Sequence, residues 1–188
     1  MSVFDFGVRG YQPEWLRGPD EVITAHAERL RGLLGRRLTG AHLMWDLRRD
    51  CWWADGPVVF DFEGRQVEIN HMQMDLVSIT WDAIHVGTRV DWLGGHRSRR
   101  WIPTFGGPKI GWRSNAHRDL ATLAGRVLTG VQVLVHRSER PGDFANGTVS
   151  IGFSFNDRRV EVFNALDENG LSFDPLGLEH VVVWEASV

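Results

Sequence analysis

Apolar residues recur at helical spacing in two stretches of the chain, and strand-like patterns follow each stretch. In residues 19–34, a proline suits the helix start, and apolar residues repeat every three or four positions. In residues 114–127, Ser114 or Asn115 can cap a second helix with the same spacing of apolar residues. The pattern therefore predicts one helix near the start of each half of the chain.

Strands are predicted after each helix, and the alternation of apolar and polar residues sets their register. The first strand reads AHLMWDL in one half and VQVLVHR in the other, and the last reads LVSITW and HVVVW. A two-residue turn at Glu63-Gly64, or at Asn156-Asp157, places apolar residues opposite one another on one face of a hairpin. The opposed pairs are Phe60 with Val67 and Val58 with Ile69 in the first hairpin, and Phe153 with Val160 and Ile151 with Val162 in the second.

Matching phrases occur in the same order in the two halves. GRRLTG at 35–40 returns as GRVLTG at 125–130, WADG returns as FANG, and FDFEGRQVEI returns as FSFNDRRVEV. This order indicates an internal duplication. We expect an α+β fold in which each half is a helix plus about four antiparallel strands, with the halves packed about a pseudo-twofold axis. The expected organisation is one domain with repeats at about 19–85 and 114–188, joined by a connector at 86–113.

The connector, residues 86–113, has no counterpart in the repeats. It is rich in Gly, Pro, Trp and Arg, and its six basic residues and one acidic residue give +5, against −8 for the rest of the chain. Arg97 and Arg100 can bind anions, and Trp101 can stack on a ring of single-stranded nucleic acid or a phosphorylated ligand. In the alternative interpretation, the tryptophans cover one end of the core and the arginines pair with acidic residues of the two halves.

The overall composition is that of an ordinary globular protein, with 188 residues, a net charge of −3 and one cysteine, Cys51. A chain of this length buries roughly 70% of its unfolded surface, so it needs no metal or disulfide to fold. We expect no cofactor, no signal peptide and no membrane-spanning segment, and hence a soluble cytoplasmic protein. The slightly negative charge disfavours nucleic acid and membrane surfaces, and leaves another protein or a small molecule as the expected partner.

The stretch EINHMQMD carries the densest group of candidate binding residues, namely Glu68, Asn70, His71 and Asp75. Carboxylate, amide and imidazole groups of this kind can bind a polar ligand if they line a cleft between the halves. In the alternative they are surface or fold-stabilising groups, which the matching position of Glu161 in the second half favours. The chain contains no HExxH, clustered His/Cys or GxSxG pattern, so we assign neither a metal site nor a catalytic residue.

Several phrases give the chain a resemblance to known sequences. DGPVVFDFEGRQVEINH, SITWD and ANGTVSIGFSF…VFNALDENGL, at about 55–82 and 145–171, resemble a group of actinobacterial hypothetical proteins. The resemblance implies an actinobacterial source, which agrees with a chain whose basic residues other than Lys109 are all arginine. It implies no activity and assigns no role to any residue.

Three functional hypotheses follow from these observations. The first is a non-enzymatic protein-binding module, comparable to an immunity protein, that covers a basic partner; this rests on analogy of fold and composition. The second is a small-molecule-binding protein or enzyme with its polar site in the cleft between the repeats. The third is nucleic-acid binding through residues 97–113, which predicts an affinity that falls steeply with salt.

Overall fold

The structure is a computed structural model that describes residues 6–90 and 109–188. Within these ranges it contains twelve strands and two helices. In chain order they are β1 (Leu16–Arg17), α1 (Gly18–Arg31), β2 (Leu38–Asp46), β3 (Cys51–Trp52), β4 (Val58–Phe62), β5 (Arg65–Met72), β6 (Leu76–Trp81), β7 (Ile110–Ser114), α2 (Arg118–Leu123), β8 (Gly130–His136), β9 (Val149–Phe155), β10 (Arg158–Asn164), β11 (Asn169–Ser172) and β12 (His180–Ser187).

Seven strands form the first sheet, in the order β1-β6-β5-β4-β2-β3, with β7 also paired to β2. Every pairing is antiparallel. The β4–β5 hairpin has the predicted register, with Phe60 opposite Val67 and Val58 opposite Ile69. Gly64 in its turn has φ +72°, a conformation that a residue without a side chain adopts at little cost.

Five strands form the second sheet, in the order β11-β10-β9-β8-β12, again with antiparallel pairings throughout. The predicted register of its β9–β10 hairpin is also confirmed, because Phe153 faces Val160 and Ile151 faces Val162. β11 and β12 follow one another in the chain but lie at opposite edges of this sheet. The connection at 173–179 must therefore cross one face of the sheet.

The main core lies between the two sheets. Apolar side chains of both sheets belong to one buried cluster, which α1 and α2 also contact. Phe153 of β9 meets Phe60 of β4 with ring centroids 5.2 Å apart and meets Phe62 at 5.9 Å. Aromatic pairs at this spacing add to the burial energy of the rings, so these contacts hold the sheets face to face.

A second, smaller core covers the other face of the first sheet. Tyr11, which precedes β1, is buried there with Met44 and Val59. Ile84, which follows β6, is buried in the same cluster. Strand alternation explains this arrangement, because Val59 and its neighbours Val58 and Phe60 point to opposite faces. The first sheet is therefore covered on both faces.

The two copies of the repeated phrase contact each other. Leu38 N–H donates to Arg126 O at 2.9 Å, and Leu128 N–H donates to Arg36 O at the same distance. Arg37 and Val127 form an isolated antiparallel bridge between them. The phrase thus forms a backbone junction between the chain after α1 and the chain after α2.

The predicted α+β duplication is wrong as a description of this fold. The described residues are mainly antiparallel sheet, with helix limited to the 14 residues of α1 and the 6 of α2. The first sheet also gains β1, from before α1, and β7, from the end of the connector 86–113. The physical reason is that the apolar sheet faces pack against each other, so two equivalent helical layers are not needed to bury them. The second helix also begins later than predicted, since Ser114 ends β7 and His117 caps α2.

Candidate functional site

The residues predicted to form a polar site lie on β5 and in the turn after it. Glu68, Asn70 and His71 are buried, with exposed fractions of 0%, 0% and 2%. Asp75 lies at the surface, where its carboxylate pairs with Arg17. The structure therefore places three of the four predicted residues inside the protein and leaves Asp75 at the surface.

His71 joins β5 to the second sheet. Its ring Nδ1 lies 3.0 Å from Asn169 Oδ1, and its Nε2 lies 3.1 Å from Val149 O. Burial lowers the pKa of His71 to about 4, so the ring is neutral at pH 7. A neutral imidazole carries one N–H, so it donates one of these two bonds. The side chain is thus engaged in holding the sheets together.

Asn169, at the start of β11, is the centre of this network. Its side-chain Oδ1 accepts a hydrogen bond from the backbone N–H of His71 at 3.0 Å. Its Nδ2 lies 2.8 Å from Gly56 O and 2.9 Å from Ala54 O, and 2.6 Å from Asn70 Oδ1. One buried amide therefore ties β11 to β5 and to the turn before β4. The polar residues at 70–71 are occupied by contacts within the protein.

Glu68 belongs to a polar group on the face of β5 opposite His71, and Asn70 shares that face because it lies two residues further along the strand. Its Oε1 accepts from Ala83 N–H at 2.8 Å and from Ile84 N–H at 3.3 Å, which fastens the chain after β6 to the sheet. Burial raises the pKa of Glu68 and also that of Tyr11, which lies beside Ser78 in the same group. Because the Glu68 carboxyl is closed off from solvent, it is placed to hold the chain after β6 against the sheet and not to exchange a proton with a substrate.

A third buried carboxylate, Glu161, lies on β10 and is 1% exposed. Its carboxylate accepts hydrogen bonds from Ser150 Oγ at 2.7 Å and from Arg159 Nη2 at 3.0 Å. His180 Nε2 lies 3.1 Å from the same carboxylate. The Arg159 guanidinium also donates to Asp174 O at 2.8 Å, in the connection that crosses this face. The cluster thus holds the 173–179 connection against the sheet.

His180 and His136 are direct partners across β12 and β8, with ring centroids 5.6 Å apart. His136 Nε2 lies 3.3 Å from Asp143 Oδ2. Hydrogen bonds from Ser138, from Ala145 N–H and from His136 hold the pKa of Asp143 below its usual value. This group secures the loop before β9 next to the start of β12.

The edge formed by β12 carries the longest run of consecutive exposed large apolar residues within the described part of the chain. Val181, Val182 and Val183 have exposed fractions of 44%, 38% and 39%. Leu178, just before the strand, is fully exposed. Among the described strands, only β8 pairs with β12, so its outer edge presents backbone N–H and C=O groups without strand partners.

The predicted binding residues Arg97, Arg100 and Trp101 lie outside the described residues. At the described end of the connector, Arg113 pairs with Asp50 at 2.7 Å and lies over the Trp45 ring at 4.6 Å. Arg113 therefore follows the alternative interpretation, in which connector arginines pair with acidic residues elsewhere. Its guanidinium is engaged within the protein.

The sequence assigns no function to Arg159, Asn169 or His180. These residues interact with partners that lie far away in the sequence; Asn169, for example, bonds to a residue 98 positions earlier. A buried asparagine that follows a turn sequence gives no local signal of such contacts. Only the packing of the two sheets brings the partners together.

Metal, membrane and family comparisons add little to this picture. Among residues 6–90 and 109–188, no three His, Cys, Asp or Glu side chains are grouped so as to hold a metal ion. No described helix has the length and apolar character required to cross a membrane. The chain matches no protein-family model, no curated protein and no solved structure.

Proposed function

We propose that the protein is a non-enzymatic binding module, comparable to an immunity protein, that covers a basic protein partner through the free edge of β12. The observation that carries the proposal is the exposed apolar edge strand, with Val181, Val182 and Val183 each more than a third exposed. A partner that adds a strand here gains main-chain hydrogen bonds and buries these valines.

Soluble proteins normally protect an edge of this kind. Short strands, charged residues, proline and β-bulges are the usual devices against unwanted pairing. β12 is eight residues long, and it contains neither lysine nor proline. Its protection consists of a register shift between Val182 and Trp184 and of the charged Glu185. The residues before the shift, 180–182, are therefore the part of the edge that is left open to pairing with a partner.

Charge favours a basic partner. The chain outside 86–113 carries a net charge of −8. Next to the exposed valines, Glu179 precedes β12 and pairs with Arg140 at 3.8 Å. Glu185 lies within β12, and its side chain is exposed. Opposite charges around an apolar centre steer association and set specificity, while the apolar contact supplies most of the affinity.

The buried polar residues support binding over catalysis. The side chains of Glu68, Asn70, His71 and Glu161 are each hydrogen-bonded within the protein and almost fully enclosed. A catalytic acid or base has to reach the proton that it transfers. These groups instead fasten loops and sheets, which gives the β12 edge a rigid support.

The proposal is tested with Val181→Lys, and with Leu47→Lys as a matched control. Both side chains are 44% exposed, and Leu47 lies after β2 in the other sheet. A lysine on the edge strand opposes strand addition and repels a basic partner. Tagged protein is purified from cells of the source organism, co-eluting proteins are identified by mass spectrometry, and the partner is then purified and rebound to each variant.

The expected result is one stoichiometric basic protein that rebinds the wild type and Leu47→Lys and binds Val181→Lys at least tenfold more weakly. Equal binding to all three proteins, an acidic partner or the absence of any partner would overturn the proposal. Light scattering adds a further check, because a second copy of the chain at this edge would also contradict a basic partner.

A further inference from the structure

A small hollow lies where the last turn of α1 meets the ends of β5 and β6. Its volume is about 300 Å³, and it is lined by Glu28, Arg29, Gly32, Arg36, Arg65 and Trp81. Half of these residues are arginines, in a chain whose net charge is −3. The volume is at the lower end of ligand pockets, which run from roughly 300 to 1,000 Å³.

Two of the three guanidinium groups have no carboxylate partner among the described residues. Arg36 donates from Nε to Gly32 O at 2.9 Å and from Nη1 to Glu63 O, so main-chain carbonyls hold it in place without neutralising its charge. Arg29 makes no ion pair with a described residue. Arg65 is paired with Asp82 at 3.1 Å. A guanidinium has five N–H donors, so Arg36 keeps donors for a ligand.

Trp81 forms an aromatic wall that its neighbours fix in position. Its Nε1 donates to His26 Nδ1 at 3.3 Å, and the Arg29 guanidinium lies 5.5 Å from the ring centroid. Burial, together with the charge of Arg29, lowers the pKa of His26, which keeps Nδ1 free to accept this bond. An aromatic wall beside two unneutralised guanidinium groups suits an anion that carries a flat apolar part.

The carbonyl-rich end of α1 explains why Arg36 lies there, since cations are favourable at a helix C-terminus. Arg65 is neutralised by Asp82, and the Arg29 guanidinium lies against the Trp81 ring. Of the lining charges that remain, those of Arg29 and Arg36 exceed the single negative charge of Glu28. An anion in the hollow would offset this excess positive charge and use the free donors.

We propose that this hollow binds a small phosphate monoester, with Arg29 and Arg36 holding the phosphate oxygens and Trp81 against the organic group. The site is separate from the β12 edge, so it is independent of the partner-binding function. Arginine suits this ligand because its fork of N–H donors matches two oxygens of a phosphate.

The test measures binding of phenyl phosphate and of inorganic phosphate by isothermal titration calorimetry at constant ionic strength, with phenol as the uncharged comparison. Arg29→Gln is the main variant, because it removes no hydrogen bond to a described residue and should leave the protein folded. Arg31→Gln is the matched control, since Arg31 is in the same last turn of α1 and also lies over a tryptophan ring, that of Trp184, at 5.8 Å. Arg36→Gln and Trp81→Phe complete the set.

Phenyl phosphate is expected to bind the wild type and Arg31→Gln alike, and to bind Arg29→Gln and Arg36→Gln about tenfold more weakly, the loss of one charge-assisted hydrogen bond. Trp81→Phe should reduce the preference for phenyl phosphate over inorganic phosphate. Equal weakening in Arg31→Gln would show non-specific attraction and overturn the proposal. Binding of phenol as tight as that of phenyl phosphate, or no phosphate binding at all, would also overturn it.

Discussion

Asn169 is predicted to contribute more to stability than any exposed polar residue, because its side chain satisfies buried groups on two other segments, β5 and the turn before β4. Replacement by alanine leaves His71 N–H, Gly56 O and the Asn70 amide without their partner. Each buried group left unsatisfied costs about 1–3 kcal/mol. Ala54 O keeps its bond from Asn169 N–H at 3.0 Å. We therefore expect Asn169→Ala to lower the free energy of unfolding by about 3–5 kcal/mol, after allowance for partial rearrangement.

The assay is urea denaturation followed by tryptophan fluorescence. Asn146→Ala is the control, because within the described ranges the side chain of Asn146 makes only two long surface bonds, of 3.3 and 3.4 Å, to Ser138. It should change the free energy of unfolding by less than about 1 kcal/mol. If Asn169→Ala costs no more than the control, the reasoning that this amide joins the sheets is refuted.

Two further predictions concern pH and packing. The folded pKa of His71, about 4, lies below its unfolded value of 6.5, so its contribution to stability is complete above pH 6.5 and is lost as pH falls towards 4. Compared with His71→Asn, the wild type should lose about 3 kcal/mol more unfolding free energy between pH 7.5 and 4 in urea titrations, and parallel curves would contradict this. Gly170→Ala would place a Cβ 2.3 Å from the Phe163 ring, so we expect a loss of about 1–3 kcal/mol in thermal unfolding. Gly87→Ala meets no atom of the described residues within 4 Å and should be close to neutral; equal effects of the two would show that the ring moves freely.

The hairpins were predictable because a period of two fixes which residues share a face. Phe60 opposite Val67 and Phe153 opposite Val160 follow from the turn positions and the alternation alone. The fold class was not predictable by the same means. Nothing in residues 110–114 marks them as a strand that joins β2, since their partners lie more than sixty positions away.

The candidate site shows a similar limit. A dense polar stretch drew attention to Glu68, Asn70 and His71, but their role depends on Asn169 and on the chain after β6. Because these side chains are buried, they bond to other parts of the protein and not to a ligand. Their burial results from the packing of the two sheets, which the local sequence does not reveal. The valines of β12 predict only a last strand, because edge and central strands have the same local pattern.

The central claim, that the free edge of β12 binds the partner, is tested most directly by amide hydrogen exchange measured by mass spectrometry. The protein is measured alone and in complex with the purified basic partner. Edge amides without a strand partner exchange quickly, so binding is predicted to slow exchange across 180–187 at least tenfold, while the segment around Leu47 stays unchanged. Unchanged exchange at 180–187, with protection elsewhere on the surface, would contradict the claim.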